Sequence, residues 1–288
     1  MPQDLGDQVA IVTGAGKGLG RAYAHWLADR GCRVVVNNRA HPGVPSTAAA
    51  VCAEIIAKGG QAIADDHPVD DEAGAAALAA AANAAYGRID ILICNAGVAT
   101  DQTFAESSMA ELRRNVDTNI WGTVLPVKAV WSGMLERGYG RIVVTGSSVG
   151  LYGNLNTTIY GTTKAAMSGF ARSLAREVPK GADIAINVIV PFALTPLAAG
   201  QIGEEFAETL SPDRVAPVAG WLASRSCRTS GGIYHAGAGR VSRVKILETP
   251  SIAVPDEGAD LAALLDVPTY QEEARSANAA GNRVVRGS

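Results

Sequence analysis

The chain has 288 residues, 48% hydrophobic and 18% charged, enough to bury a large core in one α/β domain or two small ones. A net charge of -3 and a pI near 5.8 leave no basic surplus, which argues against a dedicated nucleic-acid binder and leaves small-molecule chemistry as the expectation. Four scattered cysteines (Cys32, Cys52, Cys94, Cys227) without a CxxC pair argue against a zinc site or a disulfide framework, and no run of about 18 apolar residues spans a bilayer, so a cytoplasmic protein with no metal and no membrane partner is expected.

Gln8 to Thr13 (QVAIVT) reads as a short buried strand running into Gly14, Ala15, Gly16, Lys17, Gly18, Leu19 and Gly20, with the helical pattern Arg21 to Arg30 behind it. Strand, glycine turn and helix make a phosphate cradle: glycines permit close backbone approach, and the helix N-terminus offers unpaired N–H groups to a pyrophosphate. Gly31 closes that helix, and Arg33 to Val36 forms a second strand ending at Asn37, Asn38 and Arg39. An acidic residue about 20 positions past the glycines selects NAD through the ribose hydroxyls, whereas a cation there accommodates a 2′-phosphate. The residues present are Asn38 and Arg39, with Lys17 in the glycine loop, so the expected cofactor is NADP in preference to NAD.

Thr47 to Lys58 reads as an Ala-rich helix, Gln61 to Ala64 as a third strand, and Asp65, Asp66, His67 and Val69 follow where an adenine contact is expected. The helix Glu72 to Tyr86 and the strand Ile89 to Ile93 complete another crossover, ending in Cys94, Asn95, Ala96 and Gly97. Small residues there let a cofactor lie against backbone, Asn95 can pin the neighbouring strand, and Cys94 reads as a buried hydrophobe. Leu112 to Arg137 forms one or two helical segments carrying Asn119, with Trp121 and Trp131 read as core or subunit contacts.

An apolar strand, Arg141 to Thr145, then runs toward Ser147 in a Gly-rich loop; thirteen residues on comes Tyr160, and four further Lys164. In a helix, four residues put Tyr160 and Lys164 on one face, where the ammonium is expected to lower the phenol's pKa and make it a general acid or base. The Ser147 hydroxyl would polarise a carbonyl oxygen. Ile184 to Val190 is a sixth strand, Pro191 to Pro196 a loop carrying Phe192, Leu194 and Thr195, Ser211 to Ser224 a helix, and Gly231 to His235 a seventh strand. Tyr152, Phe192, Leu194 and Leu197 read as an apolar pocket wall, and the tail beyond 250 as a separate polar, Ala-rich segment.

These motifs, in this order, resemble the short-chain dehydrogenase/reductase family: Thr13 with Gly14, Gly18 and Gly20; Asn95, Ala96 and Gly97; Asn119; Ser147; and Tyr160 with Lys164. The resemblance covers residues 5 to 245, and the runs GRIVVTGSSVGLYGN and SPDRVAPVAGWLASRSCRTSGGIYHAGAG narrow it toward the D-3-hydroxyacyl-CoA dehydrogenase part of peroxisomal multifunctional enzymes and bacterial hydroxysteroid dehydrogenase-like proteins. It implies a doubly wound, seven-stranded parallel sheet, one catalytic domain over residues 1 to 250, and reversible hydride transfer between nicotinamide and a secondary alcohol or ketone. It also implies a catalytic set of Asn119, Ser147, Tyr160 and Lys164. Tyr160, Lys164, Pro191 and Thr195 would border the nicotinamide half of the cofactor, and the long helices, Leu112 to Arg137 and Ile159 to Val178, would build a dimer or tetramer. Cys94 replaces the family's first Asn, Phe192 its Gly, and Asn38 the acidic residue of the NAD-selecting relatives. The competing reading is a non-catalytic nucleotide-binding protein on the same fold.

Overall fold

The computed structural model describes residues 5–6, 8–195, 197 and 204–248. Two compact units divide the chain, Met1–Arg243 and Val244–Ser288, and the fold and the site both belong to the first. The expected boundary after residue 250, the tail beyond it and residues 198–203 of the expected substrate loop from Leu197 to Leu210 lie outside the described residues.

Strands β1 (Val9–Val12), β2 (Arg33–Asn37), β3 (Gln61–Asp65), β4 (Ile91–Cys94), β5 (Tyr139–Thr145), β6 (Asp183–Phe192), β7 (Ile233–Gly237) and β8 (Arg240–Val244) form one sheet in the order β3-β2-β1-β4-β5-β6-β7-β8. All neighbours from β3 to β7 pair in parallel. Strand order reverses between β1 and β4, the topological switch point where open α/β sheets leave a crevice for ligands. The expectation of seven strands falls one short. β8 follows β7 across Ala238 and Gly239, both at positive φ (50° and 71°), and a two-residue turn of that kind returns the chain antiparallel. Its sequence, RVSRV, is polar and exposed, so it carries no signature of a buried strand.

The central strands β1, β4 and β5 are buried along their whole length, as continuous apolar runs in a parallel sheet covered on both faces must be. Helices α1 (Gly18–Ala28), α2 (Thr47–Ala57) and α8 (Ala216–Leu222) cover one face, where Leu27, Val51, Ile55 and Leu222 pack on Val12, Val34 and Ile93. Helices α3 (Glu72–Tyr86), α5 (Gly122–Arg137) and α7 (Thr158–Leu174) bury Leu78, Val130, Met134 and Met167, residues outside that first cluster.

The segment expected as one or two long helices is continuous but heterogeneous. Helix α4 (Met109–Val116) opens with a Ser108–Glu111 capping box, then a π-helical turn, Asp117–Trp121, leads into α5. A π-turn inserts an extra residue and rotates the face that follows. Asn119, inside that turn, is wholly buried, whereas Trp121 is 47% exposed, which excludes the core alternative of its expected core or subunit contact. The region Ser211 to Ser224 likewise splits, into a single 3-10 turn at Pro212–Arg214 and α8.

Candidate active site

The glycine turn lies directly behind β1. Gly14 and Gly18 occupy positive φ (61° and 56°), and a Cβ on Gly14 would sit 2.7 Å from the Ala96 Cα, while one on Gly20 would sit 2.6 Å from Asn95 Nδ2. The turn therefore packs on the exit of β4 with no room for side chains. Thr13 Oγ1 accepts from the Asn95 and Ala96 amides at 3.0 and 3.1 Å, and Asn95 Nδ2 donates to the Thr13 and Gly14 carbonyls at 3.1 and 3.0 Å. Asn95 pins the two strand ends together, as its place in the sequence led us to expect.

Helix α1 begins at Gly18 with exposed Lys17 as its N-cap, no side chain caps it, and its first turn holds no acidic residue. Its leading N–H groups remain available to an anion. A glycine-rich cradle before an uncapped helix N-terminus fits the pyrophosphate of a dinucleotide. Leu19 lies in the first turn and packs against the core.

At the end of β2, Asn38 Nδ2 donates to Thr47 Oγ1 at 2.9 Å. Arg39 is not an unengaged cation: its Nη1 meets Asp70 Oδ2 at 3.0 Å, with 47% of its side chain exposed. Beneath them, buried Asn37 donates to Asp65 Oδ1 (2.7 Å) and the His67 carbonyl (2.9 Å), fixing the turn that leads to buried Val69. His67 faces Asp65 at 2.8 Å, which makes it part of that turn.

The second half of the site gathers the four residues of the expected catalytic set. Ser147 stands in the short connection that follows β5. It caps the short helix α6 (Ser148–Tyr152), accepting from the Val149 amide at 3.2 Å, and its hydroxyl lies beside the Tyr160 phenol. Tyr160 and Lys164 both lie on α7, with Lys164 Nζ 5.9 Å from the centre of the Tyr160 ring. The ammonium donates to the Thr145 carbonyl at 2.9 Å, and burial pushes Lys164 down from 10.5 to about 8.

Burial likewise pushes the Tyr160 phenol above its ordinary value, opposed by the Ser147 hydroxyl. This corrects the expectation of a phenol lowered by Lys164: desolvation of the phenolate dominates, and the influence that opposes it is the Ser147 hydroxyl. A phenol that keeps its proton at neutral pH is suited to donating it. Cys94, pushed up to about 12 by burial, is an inert thiol, as its sequence context indicated.

Asn119 completes the cluster through its side chain. Its Nδ2 donates to the Val98 carbonyl (2.9 Å) and to Thr163 Oγ1 (3.0 Å), and its Oδ1 accepts from the Val98 amide (2.8 Å). Thr163 passes the link on by donating to the Tyr160 carbonyl at 2.8 Å. A Cβ on Gly97 would lie 3.1 Å from Asn119 Oδ1 and 3.5 Å from Lys164 Nζ, so Gly97 holds a narrow space between them. Thr163 was invisible as a site residue because a threonine inside a helix carries no motif. The Asp70 contact to Arg39 was missed for a similar reason: the two are 31 residues apart.

β6 runs on through Pro191 and Phe192, which pair with Ala236 and Gly237 of β7. The Phe192 substitution thus leaves a regular strand path and presents a ring that is 46% exposed. Thr195 is half-buried in the loop beyond.

Residues 8–205 match the short chain dehydrogenase family. The chain belongs to that family. It is 34% identical over 261 residues to the peroxisomal multifunctional enzyme A of Dictyostelium discoideum, covering 89% of this chain and 58% of the relative. The full-length peroxisomal multifunctional enzyme type 2 of Drosophila melanogaster superposes with a TM-score of 0.80 at 28% identity, over 96% of this chain and 48% of that one. A 7α-hydroxysteroid dehydrogenase complexed with NADH and 7-oxo glycochenodeoxycholic acid superposes with a TM-score of 0.74 at 31% identity, over 82% of this chain and 95% of that one. The chain thus spans about half the length of the multifunctional relatives it matches. As a short-chain dehydrogenase it is an NAD(P)-dependent oxidoreductase acting on alcohol and carbonyl groups. Among the described residues no helix is long and apolar enough to cross a membrane, and no cluster of His, Cys, Asp and Glu is suited to a metal.

Proposed function

We propose that this short-chain dehydrogenase reduces the ketone of an apolar substrate, a 3-ketoacyl thioester or a ketosteroid, with Ser147, Tyr160, Lys164 and Asn119 as its catalytic set and NADP as its preferred cofactor. The observation that carries the reading is a half-buried Tyr160 phenol, its pKa raised by burial and opposed by the Ser147 hydroxyl, beside the buried Lys164 ammonium. When bound, the nicotinamide supplies the hydride. The protein's part is positioning and proton delivery: Ser147 orients the carbonyl oxygen, Tyr160 gives that oxygen its proton, and Lys164 supplies positive charge that stabilises the phenolate left behind. Asn119, through Val98 and Thr163, holds Gly97 and the Tyr160 backbone in register. The cofactor's adenosine half would rest on Gly14 to Gly20, Asn38, Arg39, Val69 and the Asn95 to Gly97 backbone, and its nicotinamide half against Pro191 and Thr195.

The apolar substrate class is supported by Tyr152, Phe192 and Leu197, exposed by 73%, 46% and 49%, which leave large apolar side chains uncovered beyond Ser147 and Pro191. Relatives named for multifunctional peroxisomal enzymes and a hydroxysteroid dehydrogenase point the same way. A dimer or tetramer through α5 and α7 belongs to the same reading, consistent with the exposed Trp121. Nicotinamide absorbance with NADPH and NADH, against a 3-ketoacyl-CoA, a 17-ketosteroid and simple aromatic ketones, tests it. Turnover of the thioester or steroid at the lower concentration is expected, and turnover of small aromatic ketones alone would reject the substrate class.

A further inference from the structure

We propose that Asp70 sets the cofactor preference by competing with the cofactor's 2′-phosphate for Arg39. The proposal rests on the reading that Arg39 serves NADP. Arg39 follows Asn38 at the end of β2, and Asn38 is turned toward Thr47, to which it donates at 2.9 Å. A Cβ on Gly16 would meet both Thr47 Oγ1 and Asn38, so the end of β2 lies directly against the glycine turn, with exposed Lys17 next in the chain. This corner carries no carboxylate on the Asn38 side chain to receive ribose hydroxyls. It does carry one on Asp70, and that carboxylate has taken the cation: Arg39 Nη1 to Asp70 Oδ2 is 3.0 Å.

Asp70 is well placed to hold on. Its side chain is 17% exposed, and the same Oδ2 also faces Thr118 Oγ1 at 3.4 Å, at the start of the π-turn. Arg39 is 47% exposed and has the freer side chain. A 2′-phosphate reaching this corner must draw the guanidinium from a fixed carboxylate and then tolerate that carboxylate nearby. NADH makes neither demand. Asp70 therefore penalises NADPH selectively, and the sequence, with Asn38 and Arg39 alone in view, overstates the preference for it.

The test is cofactor binding without turnover, read from quenching of protein fluorescence by NADPH, NADH and 2′,5′-ADP on wild type, Asp70→Asn, Arg39→Ala and the double variant. Asp70→Asn is expected to raise the ratio of NADH to NADPH dissociation constants about three- to fivefold, the range of one partly exposed ion pair, with less effect at high salt. The same substitution in the Arg39→Ala background is expected to change that ratio far less. Asp70→Ser repeats the test should the amide rebuild a bond to Arg39. If Arg39→Ala lowers the ratio but neither Asp70 variant raises it, the competition is wrong and the 2′-phosphate role of Arg39 stands. If Arg39→Ala leaves the ratio and 2′,5′-ADP binding unchanged, the NADP reading fails and takes the proposal with it.

Discussion

Replacing Lys164 by Met separates what the site needs for chemistry from what the fold would prefer. The Lys164 ammonium is buried and donates a hydrogen bond to the Thr145 carbonyl, with its pKa pushed by burial from 10.5 to about 8. At about 1.4 kcal/mol per pKa unit, keeping it charged at neutral pH costs the folded state about 3 kcal/mol. Methionine has nearly the same length and no charge, and the Thr145 carbonyl it leaves unpaired returns about 1 kcal/mol of that gain. The variant is therefore expected to be more stable at pH 7 by about 2 kcal/mol, or about 4–8 °C in Tm for a domain of this size. The pH dependence has a definite sign. Below pH 8 both states of the wild type hold the proton and the full cost is present; between about 8 and 10.5 the folded state sheds its proton first, the unfolded state binds more, and wild-type stability rises with pH. The advantage of the variant should shrink over that window. Thermal unfolding from pH 7 to pH 10, monitored by circular dichroism, measures it. A variant no more stable than wild type at pH 7, or an advantage independent of pH, would refute the account of a buried charged lysine.

Ser147→Ala removes the hydroxyl that opposes the burial-driven rise of the Tyr160 pKa, so in the oxidative direction, where the phenolate is the base, the ascending limb of kcat/KM should move to higher pH, with kcat down about tenfold or more at pH 7. Gly20→Ala forces a Cβ to 2.6 Å from Asn95 Nδ2; calorimetric titration should show NADH and NADPH weakened together, with stability lower by about 1–3 kcal/mol. Asn119→Ala strands the Val98 amide and carbonyl and should cost about 2–4 kcal/mol in denaturant unfolding, whereas Asn119→Asp, which keeps the acceptor for the Val98 amide, should cost less.

The sheet was legible because its strands are continuous apolar runs, VAIV, RVVV and ILIC, separated by helical patterns with clear caps; parallel pairing then leaves few topologies. β8 was not, since RVSRV is a polar edge held by a turn whose Ala238 adopts positive φ without being a glycine. The glycine turn, Asn95 and the pair Tyr160 and Lys164 announced themselves through spacing within single elements. What spacing cannot carry is the balance of desolvation against charge, and so the direction of the Tyr160 shift could not be read from four residues of separation. Nor can it carry contacts between distant segments. Arg39 reads as an available cation until Asp70 is seen beside it, and Thr163 reads as filler until its hydroxyl is found between Asn119 and the Tyr160 backbone.

The central claim is that Tyr160 delivers the proton, and its most direct test is Tyr160→Phe in a single-turnover reduction of the best ketone from the substrate panel, with cofactor affinity measured on the same protein. The account predicts that hydride transfer falls by at least about a thousandfold while NADPH binding stays within about twofold of wild type. Hydride transfer within about tenfold of wild type, with the cofactor bound normally, would contradict it and move the proton donor elsewhere in the site.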